Sequence, residues 1–286
     1  MAATADPPTP APASAAPAPA LATPALGRVS ALRYVTPLRE GGSVPALVEA
    51  DDGHGYVVKL RGAGQGPRVL VAELIAGLLG QALELAVPPL ALVDLDEAIA
   101  RSEPDPEIQD ILRASAGLNL GLRHLDGALT FDPGARRPLD GAVASRVVLL
   151  DAFVTNVDRT PRNPNLMWWR GALAPIDHGA ALYWQHDWDG AIATARPDRP
   201  FPLIREHVLL PWADDLAGAA VAAATAFDDA RLGAIANAIP DDWLAPLPQA
   251  PDPDAQRAAY AGWLRARRAA LPALAQEAAR ARAPRV

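Results

Sequence analysis

Residues 150–166 read Leu-Asp-Ala-Phe-Val-Thr-Asn-Val-Asp-Arg-Thr-Pro-Arg-Asn-Pro-Asn-Leu, and residues 176–179 read Ile-Asp-His-Gly. The first stretch opens inside an apolar run of helical periodicity, residues 142–155. Its continuation, 156–164, cannot stay helical: proline lacks the N–H that a helix needs, and asparagine favours turns. A loop is therefore expected immediately after a buried helix, with Asp158 and Asn163 five residues apart on it. Leu166-Met-Trp-Trp and Ala172-Leu-Ala-Pro-Ile bracket Arg170-Gly171, the pattern of a short hairpin that delivers the chain to Asp177. Only five asparagines occur in the chain, and Asn156, Asn163 and Asn165 all lie beside Asp158, a clustering that points to a site.

Upstream, residues 30–60 alternate as strands do, broken by the turn Asp51-Asp-Gly-His-Gly, and predict an antiparallel meander ending in Tyr56-Val-Val-Lys-Leu. A glycine-rich loop, 61–67, precedes a helix over 69–85 that carries Glu73 in its first turns. A strand over 90–95, a helix over 106–116 and an extended or turn-rich connection over 121–131 follow. Downstream of the hairpin the pattern is helical, over 216–226, 230–238 and 255–281, the last kinked or broken at Pro272. Strands concentrate in the first half and helices in the second, which predicts an α+β protein of two lobes.

Composition narrows the function classes. The 286 residues are half apolar, enough for one large domain or two lobes, each with its own core. Lys+Arg 26 against Asp+Glu 33 gives a net charge of −7, which argues against direct nucleic-acid binding driven by phosphate neutralisation. The absence of cysteine excludes thiol catalysis and cysteine-ligated metals. Residues 1–27 are dominated by Ala and Pro and read as a disordered tail; no apolar run is long enough for a membrane span, and the expected location is cytoplasmic. Lys59 is the only lysine in the sequence. Its compact point charge, which Arg's planar fork does not reproduce, sits at the end of an apolar strand, and Glu73 on the following helix can orient it.

Phosphoryl transfer from ATP needs a cation on the phosphates, Mg²⁺ held by hard oxygen ligands, and a carboxylate near the acceptor hydroxyl. Protein kinases meet this with an Asp and an Asn at the five-residue interval seen here, followed by a D-x-G aspartate. A second reading, in which Asp158 and its asparagines only cap turns, remains open from the residues alone.

The segment 150–166, followed by Ile176-Asp-His-Gly, closely resembles the HipA-like kinases, over about residues 30–244, and more distantly the phosphatidylinositol kinases with their D-R-x-x-x-N loops. The resemblance implies a two-lobed protein-kinase-like fold, with an N-terminal antiparallel sheet lobe (28–131) and a C-terminal helical lobe carrying the catalytic loop (132–286). It implies that Asp158 is the catalytic base, that Asn163 and Asp177 are the Mg²⁺ ligands, and that Lys59 contacts the ATP phosphates. Asn156 and Asp151 would shape the loop from behind, and backbone within 125–129 would receive adenine. In place of G-x-G-x-x-G the chain has Arg39-Glu-Gly-Gly-Ser, so Gly41, Gly42 and the Ser43 backbone are the candidate phosphate-binding N–H groups. The acceptor implied is a Ser or Thr hydroxyl of a protein; a lipid or small-molecule acceptor, or an idle nucleotide-binding module, are the rival readings. Longer HipA toxins carry an additional N-terminal subdomain where this chain has its Pro/Ala-rich stretch, which leaves an antitoxin partner open. His178 reads as the variable residue of the D-x-G turn, His207 shows no metal-ligand pattern, and Trp168, Trp169, Tyr183, Trp184 and Trp188 read as packing.

Overall fold

The computed structural model describes residues 26–38, 44–135, 137–188, 196–248 and 250–283. Most of the expected tail, 1–25, and the expected phosphate loop of Gly41, Gly42 and Ser43 lie outside the described residues.

The expected meander forms from β1 (Gly27–Pro37), β2 (Ala46–Ala50) and β3 (Gly55–Lys59). Gly53 supplies the positive φ (79°) that the β2–β3 turn requires. Helix α1 (Pro67–Ala82) follows, then β4 (Leu90–Leu95), a 3₁₀ turn, α2 (Pro106–Ala114) and β5 (Gly117–Arg123). The five strands close a barrel in the order β1-β2-β3-β5-β4. Closure departs from a purely antiparallel sheet: the start of β1, Gly27 to Ser30, pairs in parallel with Ala91 to Asp94 of β4. Register shifts at Ala31/Arg33 and Tyr34/Thr36 let β1 curve from one partner to the other, as bulges do.

Strand β5 takes in the start of the connection expected to be extended or turn-rich and begins before it, at Gly117, and its composition explains why a strand is not read there. Gly-Leu-Asn-Leu-Gly-Leu-Arg carries no β-branched residue, yet Leu118 to Leu122 are buried without a break because both faces are covered. Leu120 and Leu122 join the core beneath α1, while Gly121 faces the barrel interior. A side chain there would approach within 2.5 Å of Val93 and 3.1 Å of the Tyr56 ring. Asn119 is held from both ends, accepting from the Arg61 N–H (2.8 Å) and donating to the Ser115 and Gly117 carbonyls.

Two hydrophobic cores result. One fills the barrel with Val48, Val58 and Val93 and extends to Leu112 of α2. The other runs from α1 through α3 (Gly141–Val154) to α4 (Leu216–Ala226), α5 (Asp229–Asn237), α6 (Pro253–Ala269) and α7 (Leu271–Arg282). Residues 70–80 of α1 are buried all round because the helix packs against both β5 and α3. The long C-terminal helical pattern breaks at Ala270, with Pro272 in the first turn of α7, where its missing N–H costs nothing. The hairpin β7 (Leu166–Trp169) and β8 (Ala172–Pro175) turns on Arg170 (φ 49°) and Gly171 (φ 84°) and is joined by β6 (Leu129–Thr130) in a separate sheet. Trp184 and Trp188 pack with Tyr260 and Trp263. Among the described residues no helix is long and apolar enough to cross a membrane.

Candidate active site

Strand β3 carries Lys59 to the barrel's edge, where its side chain is only 6% exposed, and its ammonium lies 2.7 Å from Asp177 Oδ1 and 4.0 Å from Glu73 Oε2. Glu73 is fully buried in α1 and makes a second set of contacts. Its Oε2 accepts the backbone N–H of His178 at 2.7 Å, and its Oε1 lies 3.2 Å from His178 Nδ1. One carboxylate thus ties α1 to β3 and to the turn after β8. Asp177 takes a left-handed conformation (φ 52°), and Gly179 lets the turn close on α1, since a Cβ there would sit 2.7 Å from Val69.

Burial opposes the Lys59 charge, but the Glu73 and Asp177 carboxylates outweigh it, and the ammonium is held above its ordinary pKa. Burial likewise pushes the Asp177 carboxyl up, and Lys59 more than reverses this, leaving it below the usual carboxylate range. Both groups are therefore charged at neutral pH. Asp177 keeps 40% of its side chain exposed, so its carboxylate remains reachable from solvent.

The loop after α3 supplies the second half. Thr155 ends the helix in a left-handed conformation, and the Asn156 N–H returns to the Asp151 carbonyl at 2.9 Å. The Asn156 side chain then works in two directions, donating to Asp151 Oδ1 (3.0 Å) and accepting the Asp158 N–H (3.2 Å). Asn163 donates to Asp158 Oδ2 at 2.7 Å, and Asn165 reaches the same oxygen at 3.4 Å. Reciprocal backbone bonds between Thr160 and Asn163, both 3.1 Å, close the loop that makes the five-residue interval work. The Asp158 charge also helps hold the Lys59 ammonium, so the two halves share one electrostatic field.

Two residues essential to this geometry were not singled out by sequence reasoning. Arg159 is buried beside Asp158; its Nε donates to Asp151 Oδ2 at 2.5 Å, and its Nη1 donates to the carbonyls of Ile176 (3.1 Å) and Asn165. It therefore clamps the residue preceding Asp177 to the loop bearing Asp158. His207 reaches the same Asp151 oxygen at 2.9 Å. The D-R pair was a usable signal for Arg159. Nothing local marks His207, which lies 56 positions from its partner.

The donor set fits a nucleotide with Mg²⁺. An Asp carboxylate and an Asn amide are hard oxygen donors, and Mg²⁺ is ordinarily held by one or two carboxylates together with phosphate and water. Among the described residues no three His, Cys, Asp or Glu side chains form a metal cage. A model of the family described as HipA-like kinase matches residues 33–258. No curated protein matches the sequence. Among solved structures, the chain is similar to the crystal structure of a Helicobacter pylori proinflammatory kinase, CtkA, with a TM-score of 0.57. The match covers 87% of this chain and 96% of that one at 11% identity, a likeness of fold.

Proposed function

We propose that this chain, which belongs to the HipA-like kinases, transfers the γ-phosphoryl group of ATP to a Ser or Thr hydroxyl of a protein, in the cytoplasm. The observation that carries the reading is the Lys59–Asp177 ion pair at 2.7 Å, buttressed by Glu73, in one field with the Asp158–Asn163 pair. ATP would lie between an N-terminal lobe, 28–131, and a C-terminal lobe, 132–286, with adenine against the backbone of 125–129.

Lys59 binds the phosphates as a fixed positive charge, oriented by Glu73. Asp177 and Asn163 would hold Mg²⁺, which when bound neutralises charge on the transferring phosphate. Asp158 Oδ2 is engaged by Asn163, which leaves Oδ1 to orient the acceptor hydroxyl and take its proton. Gly41, Gly42 and Ser43 would add backbone N–H groups to the phosphates.

Calorimetric titration of ATP with and without Mg²⁺ tests the binding half. Wild-type protein should bind tightly only with Mg²⁺. Lys59→Ala should weaken that affinity about tenfold or more, the loss of one charge-assisted contact. Asp177→Ala should abolish the Mg²⁺ dependence while keeping the fold. Unchanged Mg²⁺-dependent binding and turnover in Asp177→Ala would defeat the metal assignment, and no binding by wild type would defeat the whole reading. Binding without phosphotransfer, followed by intact mass, would instead identify an idle nucleotide-binding module.

A further inference from the structure

We propose that His207 is a positioning residue for phosphotransfer, acting on Asp158 through the buried carboxylate of Asp151; this rests on the kinase reading above. His207 belongs to none of the motifs. It comes from the segment after the D-x-G turn, where a 3₁₀ turn over Pro202–Glu206 ends. Its ring is buried, as are Asp151, Asn156 and Arg159, so the hydrogen bonds of the group are made to partners inside the protein.

The bonds define the ring's role. Nδ1 accepts the backbone N–H of Leu209 at 3.0 Å, so the proton of the neutral imidazole sits on Nε2 and points at Asp151 Oδ2, 2.9 Å away. Asp151 then has three side-chain donors: Arg159 at 2.5 Å, His207 at 2.9 Å and Asn156 at 3.0 Å. Two of the three lead directly to Asp158, Asn156 by accepting its N–H and Arg159 as its chain neighbour. His207 is the one donor that comes from outside the loop. The same segment grips the loop through its backbone, the Val208 N–H donating to the Arg159 carbonyl at 3.1 Å. The arrangement anchors the carboxylate from outside the loop and so holds the two residues that lead to Asp158.

A carboxylate that loses one of three donors in a buried site rotates to recover a bond, and its rotation displaces both Asn156 and Arg159. A displacement of about 1 Å at a reacting group costs on the order of 100-fold in rate. The expected signature is a fall in kcat that exceeds the change in KM for ATP, because Lys59 lies outside the group that moves and Asp177 is tied to it only through the Ile176 carbonyl.

Two substitutions separate positioning from packing. His207→Gln retains an N–H donor near the Nε2 position, and His207→Phe keeps the ring's bulk without a donor. ATP turnover is measured for wild type and both variants, and hydrogen exchange is followed in peptides covering 156–165. His207→Phe should lower kcat by about 10–100-fold, with a smaller change in KM, and accelerate exchange in 156–165. His207→Gln should restore most of both. Equal loss in the two variants, or exchange in His207→Phe no faster than in His207→Gln, would overturn the proposal. A wild type without turnover would sink the kinase reading but not the test, because the exchange comparison still decides whether His207 holds the loop.

Discussion

Asp158→Asn is expected to lower kcat by about 10²–10⁴-fold, the range a positioned general base contributes, while leaving Mg²⁺-dependent ATP affinity nearly unchanged. Asparagine has the same shape, and its carbonyl oxygen can still accept from Asn163, so the loop closed by the Thr160–Asn163 bonds should persist. What disappears is the negative charge that, in the proposed role, orients and deprotonates the acceptor hydroxyl. Lys59 loses only the weakest of the carboxylate influences acting on it, because Glu73 and Asp177 act on it more strongly. Single-turnover phosphotransfer beside calorimetric ATP titration checks both halves. A kcat within about threefold of wild type would remove Asp158 from the role of base, since general-base catalysis contributes far more.

Asp151→Ala should destabilise the fold by about 3–5 kcal/mol, the cost of leaving one member of a buried ion pair without its partner. Asp151 and the Arg159 guanidinium that it faces are both fully buried. Arg159 would keep only the carbonyls of Asn165 and Ile176, and its Nη2 already has no partner among the described residues. For a chain of this size the loss corresponds to a fall in Tm of about 10 °C, readable by thermal or denaturant unfolding. A change below about 1 kcal/mol would mean that the pair contributes little and that Arg159 is held by its carbonyls alone.

The same pair sets a pH dependence. Burial opposes the Asp151 charge, but Arg159 and His207 outweigh it and hold the carboxyl well below its ordinary value of 3.8. A carboxylate whose folded pKa is depressed contributes stability that is fully present above its unfolded pKa and lost as pH falls through the folded one. The gap between wild type and Asp151→Ala should therefore be constant near neutrality and narrow below about pH 4. His207, pushed below its ordinary 6.5 by burial, contributes in the same direction earlier. The unfolded chain takes up a proton near 6.5 that the folded ring refuses, so wild-type stability should begin to decline below that pH. A gap that widens on acidification would contradict the sign of the Asp151 shift.

Local pattern made most of the elements readable. The β2–β3 turn, α1, β4, α3 and the Arg170-Gly171 hairpin each carry their own signal in periodicity or turn chemistry, which acts between residues a few positions apart. The candidate residues were legible for the same reason: Asp158 and Asn163 share one loop, Asp177 follows one hairpin, and Lys59 stands out as the single lysine. Strand β5 was hidden because Gly121 is chosen for the close approach of Val93 and Tyr56, which lie on other strands. Barrel closure by β1 against β4 was hidden because a parallel pairing leaves no turn between its partners.

The sequence by itself determined most of the helices and strands, the loop that carries Asp158 and Asn163, and the chemistry available to an ammonium, two carboxylates and an amide. Only the tertiary structure decided that Glu73 would meet the backbone of His178 across 105 positions, that Arg159 would clamp Ile176, and that His207 would complete the partners of Asp151. Such pairings are specified by burial. A polar group taken out of water accepts whichever partner the packing of distant segments brings within about 3 Å, and no local pattern encodes that meeting.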